Sequence, residues 1–348
     1  LCEQYFSKKE ELELFYLIKK LKNDNDFKKY FPSFIYFLSG GAAKGFTHFA
    51  ILKSLEMSDI FPEILVGTSS GAIVGALYSY YLDAETSFLH LLKFINSKNY
   101  INFSKKYFLL SNNSKFSKIF STIKKGFLFT KALIKSYSID FDEVYNLYSE
   151  LFSNINYNNL KIKFYSSATD FIKGKTALFD SGNLPLNILA SCAIPGLFPQ
   201  IKIDNSYYVD GFVAGDIPIP YVKKRLNLND NDYYIIASDL SSPLIVKDFD
   251  KIDSFFDIIL RTLDIAIQNK TYIDRSYADF IFNPIHEDYN WDEFNNYYDF
   301  LKVGFESFKK SIYFFYKSII INIENKIKNS KNVFEKFNLL RKIKKYYI

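Results

Sequence analysis

Two cysteines and three histidines are scattered through 348 residues, and that scarcity removes several kinds of protein at once. Cys2 and Cys192 give no disulfide framework and no metal-ligand spacing. His48, His90 and His286 stand far apart in the chain, so metal catalysis is not expected. Long apolar runs are missing too. The best candidate, Ile312–Ile321, is interrupted by Lys317 and falls short of the roughly 20 residues that a membrane-spanning helix needs. Integral membrane insertion is therefore not expected. The chain starts at Leu1 and not at Met, which leaves a removed signal or lipid-anchor segment open, and Cys2 alone does not argue for lipidation.

What is present fits a globular α/β protein. Hydrophobic residues make up 48% and charged residues 24%, with a mean hydropathy of -0.08, and the length allows one large domain plus an appendage. Aromatics are abundant, at 28 Tyr and 37 Phe. The net charge of +6 is unevenly spread: Lys302–Ile348 carries +9, while the first 301 residues carry −3.

The stretch from Ser33 to Tyr78 organises the rest. Ser33–Leu38 is a short β-rich run, broken by Ser39-Gly40-Gly41-Ala42-Ala43-Lys44-Gly45 before an amphipathic helix through Leu55. Ile64-Leu65-Val66 then reads as a buried strand, Gly67-Thr68-Ser69-Ser70-Gly71 as a turn, and Ala72 to Tyr78 as the next helix. Strand, tight turn and helix form the setting of a nucleophile elbow, whose glycines let the turn lift Ser69 to the end of the sheet. Parallel strands put both turns at their carboxyl ends, so the glycine loop can offer N–H groups beside Ser69.

Residues 1–32 read as an amphipathic helical leader, with Ser7-Lys8-Lys9-Glu10 fitting a capping box and Leu14, Ile18 and Leu21 at helical spacing. Glu85–Ile95 is a further helix. Residues of about 98–138 are aromatic and lysine-rich without clean periodicity, which suggests an inserted surface subdomain, or a lid or lipid-contacting flap. Helices are then expected at Ile139–Leu151, Pro185–Cys192 and Asp253–Lys270, and from Phe294 onward. Strands are expected at Lys161–Thr169, Lys175–Phe179, Ser206–Val209, Tyr233–Ser238 and Phe280–Phe282. This alternation predicts a three-layer α/β sandwich with a mostly parallel sheet. A basic helical extension follows over 308–348.

Gly67-x-Ser69-x-Gly71 is common by chance, and on its own Ser69 could simply cap a helix; the strand and helix around it raise its weight. A nucleophilic serine also needs a base. Asp210, at the end of Tyr207-Tyr208-Val209-Asp210-Gly211, could be no more than a turn residue, or it could be that partner at the carboxyl edge of the sheet. The glycine loop fits neither a dinucleotide fingerprint nor a phosphate loop, because Ala42 and Lys44-Gly45-Phe46 break both patterns. Adjacent glycines before a helix suit an oxyanion hole.

Together these motifs resemble the patatin-like phospholipases of bacterial type. The likeness rests on the glycine loop continuing through His48, the Ser69 turn, Ala168-Thr169-Asp170 with Gly174, the run Ala190 to Pro199, and Tyr208-Val209-Asp210-Gly211. It covers about Ser33 to Ser307. The resemblance implies a catalytic domain over 33–307, Ser69 as nucleophile, Asp210 as its base, and Gly40, Gly41 and Ala42 as oxyanion-hole amides. Lys44, Gly45, Gly67, Gly71 and Gly211 support the motifs. Two positions depart from the family pattern: Ala42 replaces a third glycine, and Phe212 follows Asp210-Gly211 where a small residue is usual.

The expected activity is hydrolysis of phospholipid or lysophospholipid esters through an acyl-serine, with no metal or organic cofactor. An esterase using a Ser69-Asp210-His286 triad and a catalytically silent lipid-binding protein of the same fold are the alternatives. No nucleic-acid partner is expected. The location expected is cytoplasmic or peripheral on the inner face of a membrane. The basic segment Lys302–Ile348 either covers the sheet with its lysines in water or meets anionic lipid.

Overall fold

The computed structural model describes residues 8–107, 139–229, 232–241, 255–284, 294–330 and 333–346. Five strands form the parallel part of one sheet: β1 (Ser33–Leu38), β2 (Ile64–Thr68), β3 (Lys163–Asp170), β7 (Tyr233–Ser238) and β8 (Phe280–Phe282), in the order β3-β2-β1-β7-β8. Three shorter strands, β4 (Lys175–Phe179), β5 (Ile201–Ile203) and β6 (Ser206–Asp210), add antiparallel pairing at the β3 end.

The register of β3 places the site. On β3, β2 pairs with Lys163–Ser167, β6 pairs with Ala168–Asp170, and β4 pairs with Ser166–Asp170. A strand has two edges, so β2 and β6 occupy one of them end to end while β4 takes the other. Thr68 faces Ser167 and Asp210 faces Ala168. The carboxyl ends of two strands running in opposite directions therefore meet on consecutive residues of β3.

Helices cover both faces. Alternation along β1 sends Phe34, Tyr36 and Leu38 to a core shared with α1 (Lys9–Asn23), α2 (Phe46–Met57) and α3 (Ser70–Tyr81). Ile35 and Phe37 go to the other face, against Ile219 and Val222 of a short helix, Ile219–Leu226, that the chain's sequence did not announce. Helix α4 (Ala84–Ile95) packs on α2 and α3, while α5 (Lys98–Tyr107), α6 (Phe141–Leu151) and α7 (Leu184–Ser191) gather near the β3 end; the Ile219–Leu226 helix is α8, and α9 spans Phe255–Arg275. Of the insertion expected at about 98–138, only α5 lies within the described residues; residues 108–138 and the lid reading attached to them lie outside. The α1 cap sits one residue later than expected. Lys8 is the cap position and its N–H donates to Glu11 at 3.2 Å, whereas Ser7 lies outside the described residues.

Helix α10 (Tyr297–Lys328) runs uninterrupted through residues 307 and 308, where the catalytic part and the extension were expected to divide. Its row of Phe308, Ile312, Phe315, Ile319 and Ile323 is buried in the main core, so this apolar stripe covers the sheet and α2. Each such side chain contributes roughly 1.5–3 kcal/mol. Helix α11 (Val333–Tyr346) is tied to the segment before β1: Lys342 pairs with Asp24 and Asp26, both at 2.7 Å, and Glu335 with Lys29 at 2.6 Å. Those partners precede the start of β1, so α11 and its lysines lie at the end of the sheet opposite Ser69.

Gly304 marks the tightest α10–α2 approach. A Cβ there would stand 2.6 Å from Thr47 O and 2.7 Å from the Ala50 Cβ. Gly304→Ala should cost about 1–3 kcal/mol in chemical denaturation by forcing the helices apart; an unchanged midpoint would contradict this close contact.

Candidate active site

Ser69 leaves β2 and caps α3 with φ 53 and ψ −122, a positive-φ conformation that a non-glycine residue holds only when its surroundings enforce it. The enforcement is visible. The Ser69 N–H donates to Ser191 Oγ at 2.8 Å, and Ser191 Oγ donates to Ser167 O at 2.6 Å. The turn also needs its glycines, because a Cβ at Gly67 would stand 2.4 Å from Gly71 O and one at Gly71 would stand 2.2 Å from Leu38 O. Ser69 Oγ, half-buried, donates to Asp210 Oδ2 at 2.8 Å.

Asp210 is fully buried at the end of β6. Its Oδ1 accepts the Phe212 N–H at 3.1 Å, its own N–H donates to Ala193 O at 2.9 Å, and Thr169 Oγ1 donates to its carbonyl at 2.8 Å. Gly211 can pass beneath β3 only without a side chain, since a Cβ there would stand 2.4 Å from Ser167 O. Burial pushes the Asp210 carboxyl up to about 8, against the opposing hydrogen bonds from Phe212 and Ser69 and with a further upward push from Asp216. Phe212 thus serves the acid through its backbone. Its ring does not redirect the carboxylate away from Ser69.

The glycine loop is pinned through Ser39. Its N–H donates to Ser238 O at 3.2 Å, its Oγ accepts from the Leu240 N–H at 2.9 Å, and its carbonyl meets His48 Nε2 at 2.8 Å. His48 is fully buried, and burial lowers its pKa to about 4, so it is a neutral brace for the loop. The Gly40 N–H donates to Asp216 Oδ1 at 2.7 Å. Gly40 therefore differs from Gly41 and Ala42: among the described hydrogen bonds none is donated by those two amides. Ala42 takes φ 49, the left-handed conformation that a glycine would adopt without strain. Lys44 is buried, with its pKa lowered by desolvation, and a Cβ at Gly45 would press on the Ser70 side chain at 2.7 Å.

An apolar cavity of about 150 Å³ opens beside the turn. Ala42, Gly45, Ser70 and Tyr148 bring it toward Ser69, and Phe46, Phe94, Phe103 and Leu147 are among the side chains that line it further out. Ser69 and Asp210 themselves are not in its wall. Cys192, buried with its thiol pKa pushed up by burial, contacts both Ser69 and Tyr148. Among the described residues no cluster of three or more His, Cys, Asp or Glu is placed to hold a metal ion.

Three residues that brace the site were not singled out by sequence reasoning: Ser191 under the elbow, Thr169 under Asp210, and Asp216 on Gly40. Thr169 and Ser191 had a signal, since both fall inside stretches that match the family pattern. Asp216, six residues past Asp210, had none. His286 lies outside the described residues.

The site thus sets a strand-turn-helix serine, bonded to a buried acid, beside a glycine loop and an apolar cavity. A family model described as patatin-like phospholipase matches residues 36–223, more than half of the chain, and the chain belongs to that family. It is 24% identical over 205 residues to lysophospholipase NTE1 of Scheffersomyces stipitis, covering 59% of this chain and 11% of that protein. It is 24% identical over 203 residues to an uncharacterized NTE family protein of Mycobacterium tuberculosis, covering 58% of this chain and 29% of that protein. The matched part thus spans less than a third of either relative. Among solved structures, VipD from Legionella pneumophila aligns with a TM-score of 0.42 at 12% identity, over 82% of this chain and 67% of that one.

The raised Asp210 carboxyl carries a stability cost with a definite pH window. Its folded pKa lies above the ordinary 3.8, so the folded state holds a proton that the unfolded state has lost, and stability falls as pH rises from about 4 to about 8. Asp210→Asn removes this cost. Its melting temperature should gain on the parent's progressively across that window and hold a constant lead above it; a lead independent of pH would contradict the raised carboxyl.

Proposed function

We propose that this protein is a lipid acyl hydrolase that cleaves carboxylic esters of phospholipids or lysophospholipids through an acyl-Ser69 intermediate. The observation that carries the reading is the direct 2.8 Å hydrogen bond from Ser69 Oγ to the buried Asp210 carboxylate. In a Ser-His-Asp triad an imidazole stands between serine and acid. Here the acid occupies that place itself, which favours a dyad over a triad completed by His286. His48 and His90 are committed elsewhere, His90 to Tyr81 Oη and the Leu151 carbonyl. Likeness to fungal lysophospholipases supports lipid as the substrate class.

In acylation, Asp210 takes the Ser69 proton as Oγ attacks the ester carbonyl carbon. The carbonyl electron pair moves to oxygen, and the resulting oxyanion is met by the Gly41 and Ala42 amides with the positive end of α3 nearby. The intermediate collapses, the C–O bond to the leaving alcohol breaks, and the alcohol oxygen takes the proton from Asp210. In deacylation, Asp210 takes a proton from water, the water oxygen attacks the acyl carbon, and Ser69 leaves with that proton. The apolar cavity holds the acyl chain during both steps. Gly40 has a different task, holding the loop to Asp216. No metal or organic cofactor enters these steps. Phospholipid resides in bilayers, so on this reading the substrate is reached at a membrane surface; among the described residues no helix is long and apolar enough to cross a bilayer.

Mass-spectrometric analysis of products from mixed phospholipids tests this reading. The parent chain should release fatty acid and the matching lysolipid or deacylated product, while Ser69→Ala and Asp210→Asn should each lose about 10³-fold or more in rate. His286→Ala should retain activity near the parent's. Activity should rise with pH to a plateau above about 8, because only ionised Asp210 accepts the proton. Fatty acid release by Ser69→Ala at the parent's rate would sink the assignment.

A further inference from the structure

The lysines of α11 lie at the wrong end of the sheet to bring Ser69 to a bilayer, and the apolar row of α10 is used up in the core. The opposite end carries a different feature. Strand β3 continues past the end of β2, and the turn between β3 and β4 places Phe171 and Ile172 at its tip, 58% and 64% exposed. Tight turns are ordinarily built from Gly, Asn, Asp, Ser and Pro. Two large apolar side chains in succession at such a tip, facing water, call for a partner.

The turn is rigidly built. Asp170 Oδ1 accepts the N–H groups of Ile172 at 3.1 Å and Lys173 at 2.9 Å and the hydroxyl of Ser206 at 2.9 Å, and the Gly174 N–H closes on Asp170 O at 2.9 Å. Gly174 adopts φ +61, with open space around it. Next to the tip, Phe171 N–H donates to Tyr207 O at 2.8 Å, and Tyr207 is itself 43% exposed. Lys173, Lys175 and Lys202 are exposed around these aromatics, Lys173 paired with Asp170 at 3.3 Å; Asp204, on the adjoining β5–β6 turn, is the exposed acid at the same end.

Height decides what the partner is. Ala168 faces Asp210, and Phe171 lies three residues further along, or about 10 Å at strand spacing. Apolar groups of interfacial proteins bury roughly 5–10 Å into the boundary between head groups and acyl chains. A tip inserted to that depth would hold Ser69 and Asp210 at the level of the head groups, where the ester bonds are, with lysines level with anionic phosphate. We infer that the Phe171–Ile172 turn, with Tyr207 and its flanking lysines, is the surface by which this chain docks on an anionic lipid bilayer. This rests on the proposed lipid hydrolase reading for its purpose, and on the exposed, braced turn for its physics.

Co-sedimentation of the full chain with vesicles tests it, using Ser69→Ala throughout so that no turnover alters the lipid. Phosphatidylcholine vesicles are compared with phosphatidylcholine mixed with phosphatidylserine, at low and high salt. The paired substitution Phe171→Ser and Ile172→Ser should lower binding to mixed vesicles at least tenfold without lowering the melting temperature. The triple change Lys173→Gln, Lys175→Gln and Lys202→Gln should lower it several-fold at low salt only. Phe337→Ser on α11, 65% exposed at the other end of the molecule, should change nothing. Undiminished binding by the Phe171/Ile172 variant overturns the proposal, as does loss with Phe337→Ser alone, or equal binding to both vesicle types. A lipid-free dimer abolished by the Phe171/Ile172 change also overturns it, in favour of a second copy as partner. Because binding is read in Ser69→Ala, without hydrolysis, docking through this turn together with no fatty acid release by the parent chain in the product analysis refutes the hydrolase reading alone.

Discussion

Everything at the site depends on one edge of β3 being shared by two strands. Because β2 ends opposite Ser167 and β6 ends opposite Ala168, the residue after one strand and the last residue of the other are brought together by sheet hydrogen bonding. The 2.8 Å contact between Ser69 Oγ and Asp210 Oδ2 follows from that register. Flexible side chains reaching across a cleft would have to lose rotamer freedom on meeting, whereas here the backbone ladder has already fixed both Cα positions. The glycines fit the same constraint, since Gly67, Gly71 and Gly211 lie where backbone passes over backbone with no room for a Cβ.

The geometry gathers acids where water is excluded. Burial is the main push, raising Asp216 to about 7 with a smaller contribution from Asp239, and raising Asp210 to about 8 with a smaller contribution from Asp216. Arg275 pairs with the buried Asp239. Such an arrangement raises the basicity of the acid facing Ser69, at a cost in stability. Strain is concentrated in the same place, with Ser69 at φ 53 and Ala42 at φ 49. Both are held by neighbours whose own hydrogen bonds are complete, namely Ser191 beneath the elbow and Ser39 at the root of the glycine loop.

Much of this was legible in the sequence because it is local. Ser33–Leu38, Lys175–Phe179, Tyr233–Ser238 and Phe280–Phe282 form strands with the expected bounds, as β-rich runs between turn residues do. Helix ends moved more, by one residue at each end of Leu184–Ser191, where Asn183 accepts the Leu186 N–H and sets the start, and by five at the end of α9, expected at Lys270 and found at Arg275. Less legible were Ile201–Ile203, too short for alternation to show, and Ile219–Leu226, whose start is masked by Pro218 and Pro220. Least legible were the roles of single polar residues. Nothing near Ser191 in the chain announces that its hydroxyl will receive the Ser69 amide 122 positions away, and nothing near Asp216 announces Gly40. Those contacts belong to the register of the sheet, which one-dimensional pattern does not encode. Residue types and their setting raised Asp210 as a possible partner of Ser69 beside the plain reading of a turn residue, and the family resemblance made it the base.

The central claim is that Ser69 is a nucleophile made competent by Asp210 alone. Reaction with a fluorophosphonate probe, followed by peptide mass spectrometry, tests it without assuming any lipid. The account predicts a single phosphonyl adduct on Ser69, formed faster as pH rises toward about 8 and abolished in Asp210→Asn while His286→Ala labels like the parent. No adduct at high probe concentration, an adduct on another serine, or undiminished labelling of Asp210→Asn would contradict it.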